Sequence, residues 1–323
     1  MKHFSLRPYA RIILVAALFA NAALAEVPQV DAVQRTGEIG TWSMEGAVSD
    51  LEGNFYFCNM AAEGLDLKQH GNVGVLRSDG AAEVFVTLPE GMRGNGLRIG
   101  PDGALYLADQ LGGRLVRIDR GSREVSTVHD FGSGGSSWKQ NPNDVAFPPD
   151  GRSIYVSRVE EGVWRVKLDG SGVEKVVDEY ANGVEISPDG KRLIIAIGIF
   201  DIGEDGKVTP TGLKPDLPEE NYLYTDGLRC DAEGNIYITR AGAKFERDGV
   251  KGQYPGAVHV FSPDGEYIRN IVAPHPRVHN VGFGGVDGKT LFLICPGDDG
   301  FIAAYENDIP GANQQHLRAW GVK

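Results

Sequence analysis

Along most of the chain, short runs of alternating apolar and polar residues are separated by turns built on Gly, Asp-Gly and Pro-Asp-Gly. A period of two puts every second side chain on the same face, which predicts half-buried β-strands. Residues 95–129 show the grammar most fully: strands at 95–99 and 104–109 around the turn Pro101-Asp102-Gly103, then strands at 114–118 and 126–129. That is a four-stranded antiparallel meander. Outside the N-terminus no long segment carries the 3.6-residue rhythm of an amphipathic helix, so the expected class is all-β.

The meander recurs. Glu45, Asn95, Asn143, Asn182, Asp226 and Asn280 each stand eight residues before a turn glycine, namely Gly53, Gly103, Gly151, Gly190, Gly234 and Gly288. Those glycines are 50, 48, 39, 44 and 54 residues apart, intervals that suit propeller blades rather than helical repeats. Six such units predict a six-bladed β-propeller of four-stranded antiparallel blades. A strand from residues 33–42 is expected to complete the last blade and close the ring, with residues 316–322 as the alternative. Each inner strand begins at the same mouth of the channel, so the six oxygen-bearing residues should encircle it. Convergent carboxylates and amides suit a hard divalent cation. Each Asn or Asp taken singly is equally a turn former bonded to its own backbone. Glu45, which is not one, argues for a site.

The N-terminus changes the picture of where this happens. Lys2, Arg7 and Arg11 precede the apolar run 12–19 and an Ala-Leu-Ala ending at Ala25, the order of an export signal. A retained membrane anchor is the alternative, opposed by Asn21 and by the lack of stop-transfer charges. The expectation is a signal over 1–25 and one propeller domain over 26–323, periplasmic or secreted, with no membrane association after cleavage. Losing those three cations takes the formal charge from −12 to −15, which argues against nucleic acid and anionic membrane as partners. Cys58, Cys230 and Cys295 all lie in apolar runs and read as buried thiols. A bridge between Cys58 and Cys295 stays open, because their blades would be neighbours.

Other chemistry is thinly represented. No Gly-x-Ser-x-Gly elbow and no Cys-x-x-Cys pair occurs, so serine-hydrolase and structural-zinc readings lack their motifs. His279, beside Asn280, reads either as a proton carrier at the mouth or as a structural imidazole. Trp138, in the Gly/Ser-rich loop 132–140, reads as a platform for substrate, or the loop as a plain connector.

Met44-Glu45-Gly46-Ala47, Asn141-Pro142-Asn143-Asp144-Val145, Ala181-Asn182-Gly183-Val184, Asp226-Gly227-Leu228-Arg229 and Asn280-Val281-Gly282-Phe283-Gly284-Gly285 resemble, in order and spacing, the family of gluconolactonases, senescence marker protein and luciferin-regenerating enzyme. The resemblance runs from about residue 42 to 295. It implies a six-bladed propeller whose central divalent ion, usually calcium, is held by Glu45, Asn143, Asn182 and Asp226, with Asn95 and Asn280 lining the same ring. Two carboxylates and two amide oxygens favour Ca²⁺ over thiolate- or imidazole-preferring metals, with other divalent cations as alternatives. Asp226 would serve as general base or as nucleophile. Two departures stand out. Sugar-lactone members from animals typically carry an Arg where this chain has Asn141, and the fourth unit runs into an acidic, proline-containing stretch at 201–220, a lid or a surface elaboration, in place of clean outer strands. The reading is an exported calcium-dependent hydrolase that opens a small-molecule lactone. The alternatives are a phosphotriester or aryl-ester hydrolase on the same site, and a non-catalytic binding platform whose ion is structural.

Overall fold

A computed structural model describes residues 32–34, 43–60, 71–132, 138–217, 225–241, 244–247, 250–253, 256–297 and 300–322. The signal segment and the core of the Gly/Ser loop, 133–137, lie outside them. Six four-stranded antiparallel sheets stand around a central channel. Blade one comprises Met44–Ser49, Phe55–Asn59, Asn72–Leu76 and Ala82–Thr87. Blade two comprises Gly94–Ile99, Leu105–Asp109, Arg114–Ile118 and Val125–Asp130. Blade three comprises Pro142–Ala146, Ser153–Arg158, Gly162–Lys167 and Val173–Val177. Blade five, Thr225–Cys230, Ile236–Arg240, Ala257–Phe261 and Tyr267–Val272, carries an extra hairpin, Lys244–Arg247 with Val250–Gln253, between its second and third strands.

Two expectations need correcting. Blade four is complete, with Glu185–Ile186, Arg192–Ile195, Gly198–Ile202 and Val208–Pro210. The stretch from Asp201 therefore contains the outer strand, which its acidic and proline residues disguised. Pro210 fits there because an edge strand has no neighbour to receive its missing N–H. Residues 316–322 make no strand. Residues 316–320 belong to a helix, Ala312–Trp320, ended by Gly321 in the left-handed conformation (φ 71°).

Closure falls to the N-terminal side. Blade six takes Asn280–Gly284, Thr290–Cys295 and Phe301–Glu306 from the C-terminal end of the chain and Ala32–Gln34 as its outermost strand, with Gln34 opposite Ile302. The closing strand thus begins one residue before the segment proposed for it and takes in Val33 and Gln34; residues 35–42 of that segment lie outside the described residues. Sequence-distant strands paired in one sheet cover an edge that would otherwise be open.

The inner strands are buried along their length, whereas outer strands such as Ala82–Thr87 and Val125–Asp130 alternate with solvent. The core is accordingly a set of apolar layers between blades. Val48, Cys58, Leu97 and Leu107 join blades one and two, while Tyr237, Val258, Phe283 and Leu293 join five and six. All three cysteines are buried free thiols, so the Cys58–Cys295 bridge is not made. They sit in three different apolar layers. The C-terminal helix crosses the end of the channel that carries the turns: Trp320 Nε1 donates to the Pro149 carbonyl at 2.7 Å, and Gln314 lies against Gly288.

Candidate metal centre at the channel mouth

All six turn glycines have left-handed φ, between 62° and 86°, so the six turns share one backbone shape. Eight residues earlier, Glu45, Asn95, Asn143 and Asp226 each occupy the second position of an inner strand, Asn280 the first, and Asn182 lies three residues ahead of Glu185–Ile186. These residues are therefore in or beside strands, not in hairpin turns.

A bulge follows the oxygen residue in four blades. The register shifts between Glu45 and Val48, Gly94 and Leu97, Pro142 and Val145, and Thr225 and Leu228. An extra residue breaks the period of two. Consequently Asn95 and Arg98, or Asp226 and Arg229, three apart, can both address the channel. The strands also approach closely here. A Cβ on Gly227 would stand 2.4 Å from the Asn280 side chain, and one on Gly96 would stand 2.2 Å from Asp144 Oδ1. Gly183 N–H donates to the Asp226 carbonyl and Gly227 N–H to the His279 carbonyl, stitching blades four, five and six at this level.

Ligand-type atoms of Glu45, Asp226 and His279 all lie within 4.8 Å of one another. His279 Nδ1 is 3.0 Å from Glu45 Oε1, a charge contact rather than a well-aligned N–H···O bond. Asn280 Nδ2 donates to Glu45 Oε2 at 3.4 Å, while its oxygen accepts from Val281 N–H. Asn280 thus braces the carboxylate. Asn182 donates through Nδ2 to the Thr225 carbonyl at 3.3 Å, leaving Oδ1 buried and without a partner. Asn95 and Asn143 are buried at equivalent places on blades two and three.

The electrostatics describe a site short of positive charge. Burial, then the nearby Glu45 carboxylate, push Asp226 well above the ordinary aspartate range. Burial opposes charge on His279, but Glu45 and Asp226 outweigh it and raise the imidazole to about 9. Two carboxylates plus an unsatisfied amide oxygen are what a hard cation would satisfy, so the donor set fits one.

Several neighbours are invisible in the repeat. Tyr180, its phenol pushed up by burial and then by the Asp226 carboxylate, stands at the mouth. Deeper in the channel, Arg98 donates to Asp144 Oδ1 (3.4 Å) and Glu185 Oε2 (3.1 Å), and Arg229 donates to Asp144 Oδ2 (3.1 Å) and the Ala47 carbonyl (3.2 Å). This buried quartet ties blades one to five together beneath the site. Arg98, Glu185 and Arg229 each lie three residues past an oxygen residue, the one signal that could have found them. Trp138 opens a short 3₁₀ turn, Trp138–Gln140, and is 48% exposed. Asn141 is buried, its Nδ2 donating to the Gln110 carbonyl at 2.8 Å.

Fold and centre together define a six-bladed propeller with an acidic, cation-type site at one mouth. The SMP-30/Gluconolactonase/LRE-like region matches residues 114–295, more than half of the chain, which therefore belongs to that family. A gluconolactonase of Zymomonas mobilis is 26% identical over 294 residues, covering 78% of this chain and 75% of that protein. Among solved structures, the calcium-binding protein regucalcin of Agrobacterium tumefaciens superposes with a TM-score of 0.63 at 20% identity, over 87% of this chain and 95% of the other. A gluconolactonase of Xanthomonas campestris gives 0.62 at 18%, over 89% and 93%. These structural likenesses show the shared fold.

Proposed function

We propose that this protein is an exported, calcium-dependent hydrolase that opens a lactone ring. The observation that carries the reading is the meeting of Glu45, Asp226 and His279 within 4.8 Å, beside the unpartnered Asn182 oxygen, on a gluconolactonase-family propeller. Glu45, Asn143, Asn182 and Asp226 are the residues that would hold the ion. When bound, it would supply positive charge to polarise an ester carbonyl. The gluconolactonase of Zymomonas mobilis and the calcium-binding regucalcin support the substrate class and the metal in turn.

The chain's own residues do the rest. Asp226 keeps some exposure at the mouth and, as a carboxylate, accepts a proton from an attacking water or attacks the carbonyl itself. His279 Nδ1 lies 3.0 Å from one Glu45 oxygen and Asn280 donates to the other, so the carboxylate is kept in one orientation. Trp138, exposed on its short turn, offers an aromatic face to a bound ring. A panel of lactones assayed with and without chelator tests the proposal. Ring opening that stops on chelation and returns with Ca²⁺ is expected. A protein that loses thermal stability on chelation yet opens none of them is a platform with a structural ion.

A further inference from the structure

We infer that Arg93 and Asn141, joined through Gln110, form a subsite for an α-hydroxycarboxylate group, and that the substrate is accordingly a monolactone of a hydroxylated diacid. The inference rests on the lactonase reading for the ring and on separate observations for the tail.

Arg93 is only 8% exposed, and its one side-chain hydrogen bond among the described residues runs from Nη2 to the neutral Gln110 Oε1 at 3.2 Å. Its Nε is buried without a partner. Asp109, the acid whose charge it feels, makes no ion pair with it. Asp109 takes the Arg93 backbone N–H on Oδ1 but gives Oδ2 to the Arg114 guanidinium, at 2.8 Å. A buried guanidinium with no carboxylate of its own is costly, and scaffolds that hold such a charge commonly do so for a ligand.

Across Gln110 the complementary group is present. Asn141 donates Nδ2 to the Gln110 carbonyl, and its Oδ1 is buried with no partner. A cationic donor held on the Gln110 side chain and an amide acceptor held on the Gln110 backbone carbonyl match a carboxylate and the hydroxyl on the adjacent carbon. The cation comes from blade two and the acceptor from the start of blade three.

The location suits the ring chemistry. Arg93 and Asn141 each precede an oxygen residue of the channel ring, Asn95 and Asn143, by two positions. Two residues of extended chain span about 7 Å, comparable with the distance from a lactone carbonyl to a carboxylate on the ring's exocyclic tail.

The test uses a matched pair: the 1,4-lactone of a hexaric acid, and that of the corresponding hexonic acid, in which a hydroxymethyl group replaces the tail carboxylate. Wild type should favour the diacid lactone in kcat/KM, chiefly through KM. Arg93→Gln should cut that preference by about 10- to 100-fold, the worth of a charge-assisted hydrogen bond. Arg93→Lys should retain part of it, and Asn141→Ala should lower it with the charge intact. Calorimetric binding of the ring-opened hexarate against hexonate gives a second readout independent of turnover. Because both products carry one carboxylate for the ion, the difference between them reports on the tail. A preference unchanged in folded Arg93→Gln, or absent from wild type, overturns the subsite while leaving lactonase activity standing. Arg93-dependent binding of hexarate by a protein that opens no lactone would uphold the subsite and overturn the lactonase reading.

Discussion

Glu45 and Asp226 place two negative charges within 4.8 Å of each other and of His279, an arrangement that repels itself unless a cation or a proton intervenes. Glu45 is the more enclosed, 5% exposed, and its two oxygens face His279 and Asn280. Glu45→Gln removes half of the formal charge in the proposed cage, so calcium affinity should fall at least tenfold in a calorimetric titration. Unchanged affinity would take Glu45 out of the cage. Asp226→Asn preserves an oxygen at the same point, as Asn182 presents one, so the fold and much of the metal affinity should persist. What goes is the basic or nucleophilic carboxylate, and turnover at saturating calcium should drop by about 10² to 10⁴. Wild-type hydrolysis by that variant would assign Asp226 to holding the ion alone.

At the scale of the strand, the spacing of eight residues located the mouth but could not reveal the bulges. A simple alternation puts residues i and i+2 on one face. The shifts after Glu45, Gly94, Pro142 and Thr225 bring in i+3 instead, and with it Arg98 and Arg229 beneath the ring. The glycines that follow the oxygen residues looked like halves of Asn-Gly and Asp-Gly turns; in blades two and five they are points where neighbouring strands nearly touch. Asp144 has the heaviest structural duty in this layer, being 1% exposed and bonded to both Arg98 and Arg229. Asp144→Ala leaves Arg229 with backbone carbonyls alone and Arg98 with Glu185, so unfolding free energy should fall by about 3 to 5 kcal/mol. A loss under about 1 kcal/mol in denaturant titration would mean that water or the remaining glutamate compensates.

For the whole molecule, the expected export can be tested directly: expressed in a bacterium with its N-terminus intact, the protein should leave the cytoplasm and begin at Glu26 by mass spectrometry. Soluble cytoplasmic protein retaining Met1 would refute it. The fold class and blade count were legible in the chain because a propeller repeats one local unit, and each unit writes its own strands and turn glycine. The oxygen ring was legible for the same reason, since equivalent positions in equivalent blades occupy equivalent places. Contacts between blades left no such periodic trace. That Ala32–Gln34 closes blade six, that the last residues form a helix across the turn end, that the three thiols fall in separate layers, and that Arg93 reaches Gln110 beside Asn141 all depend on pairs far apart in the chain. Alternation and turn chemistry report a residue's own strand; only packing the six blades around one axis decides which distant side chain it meets.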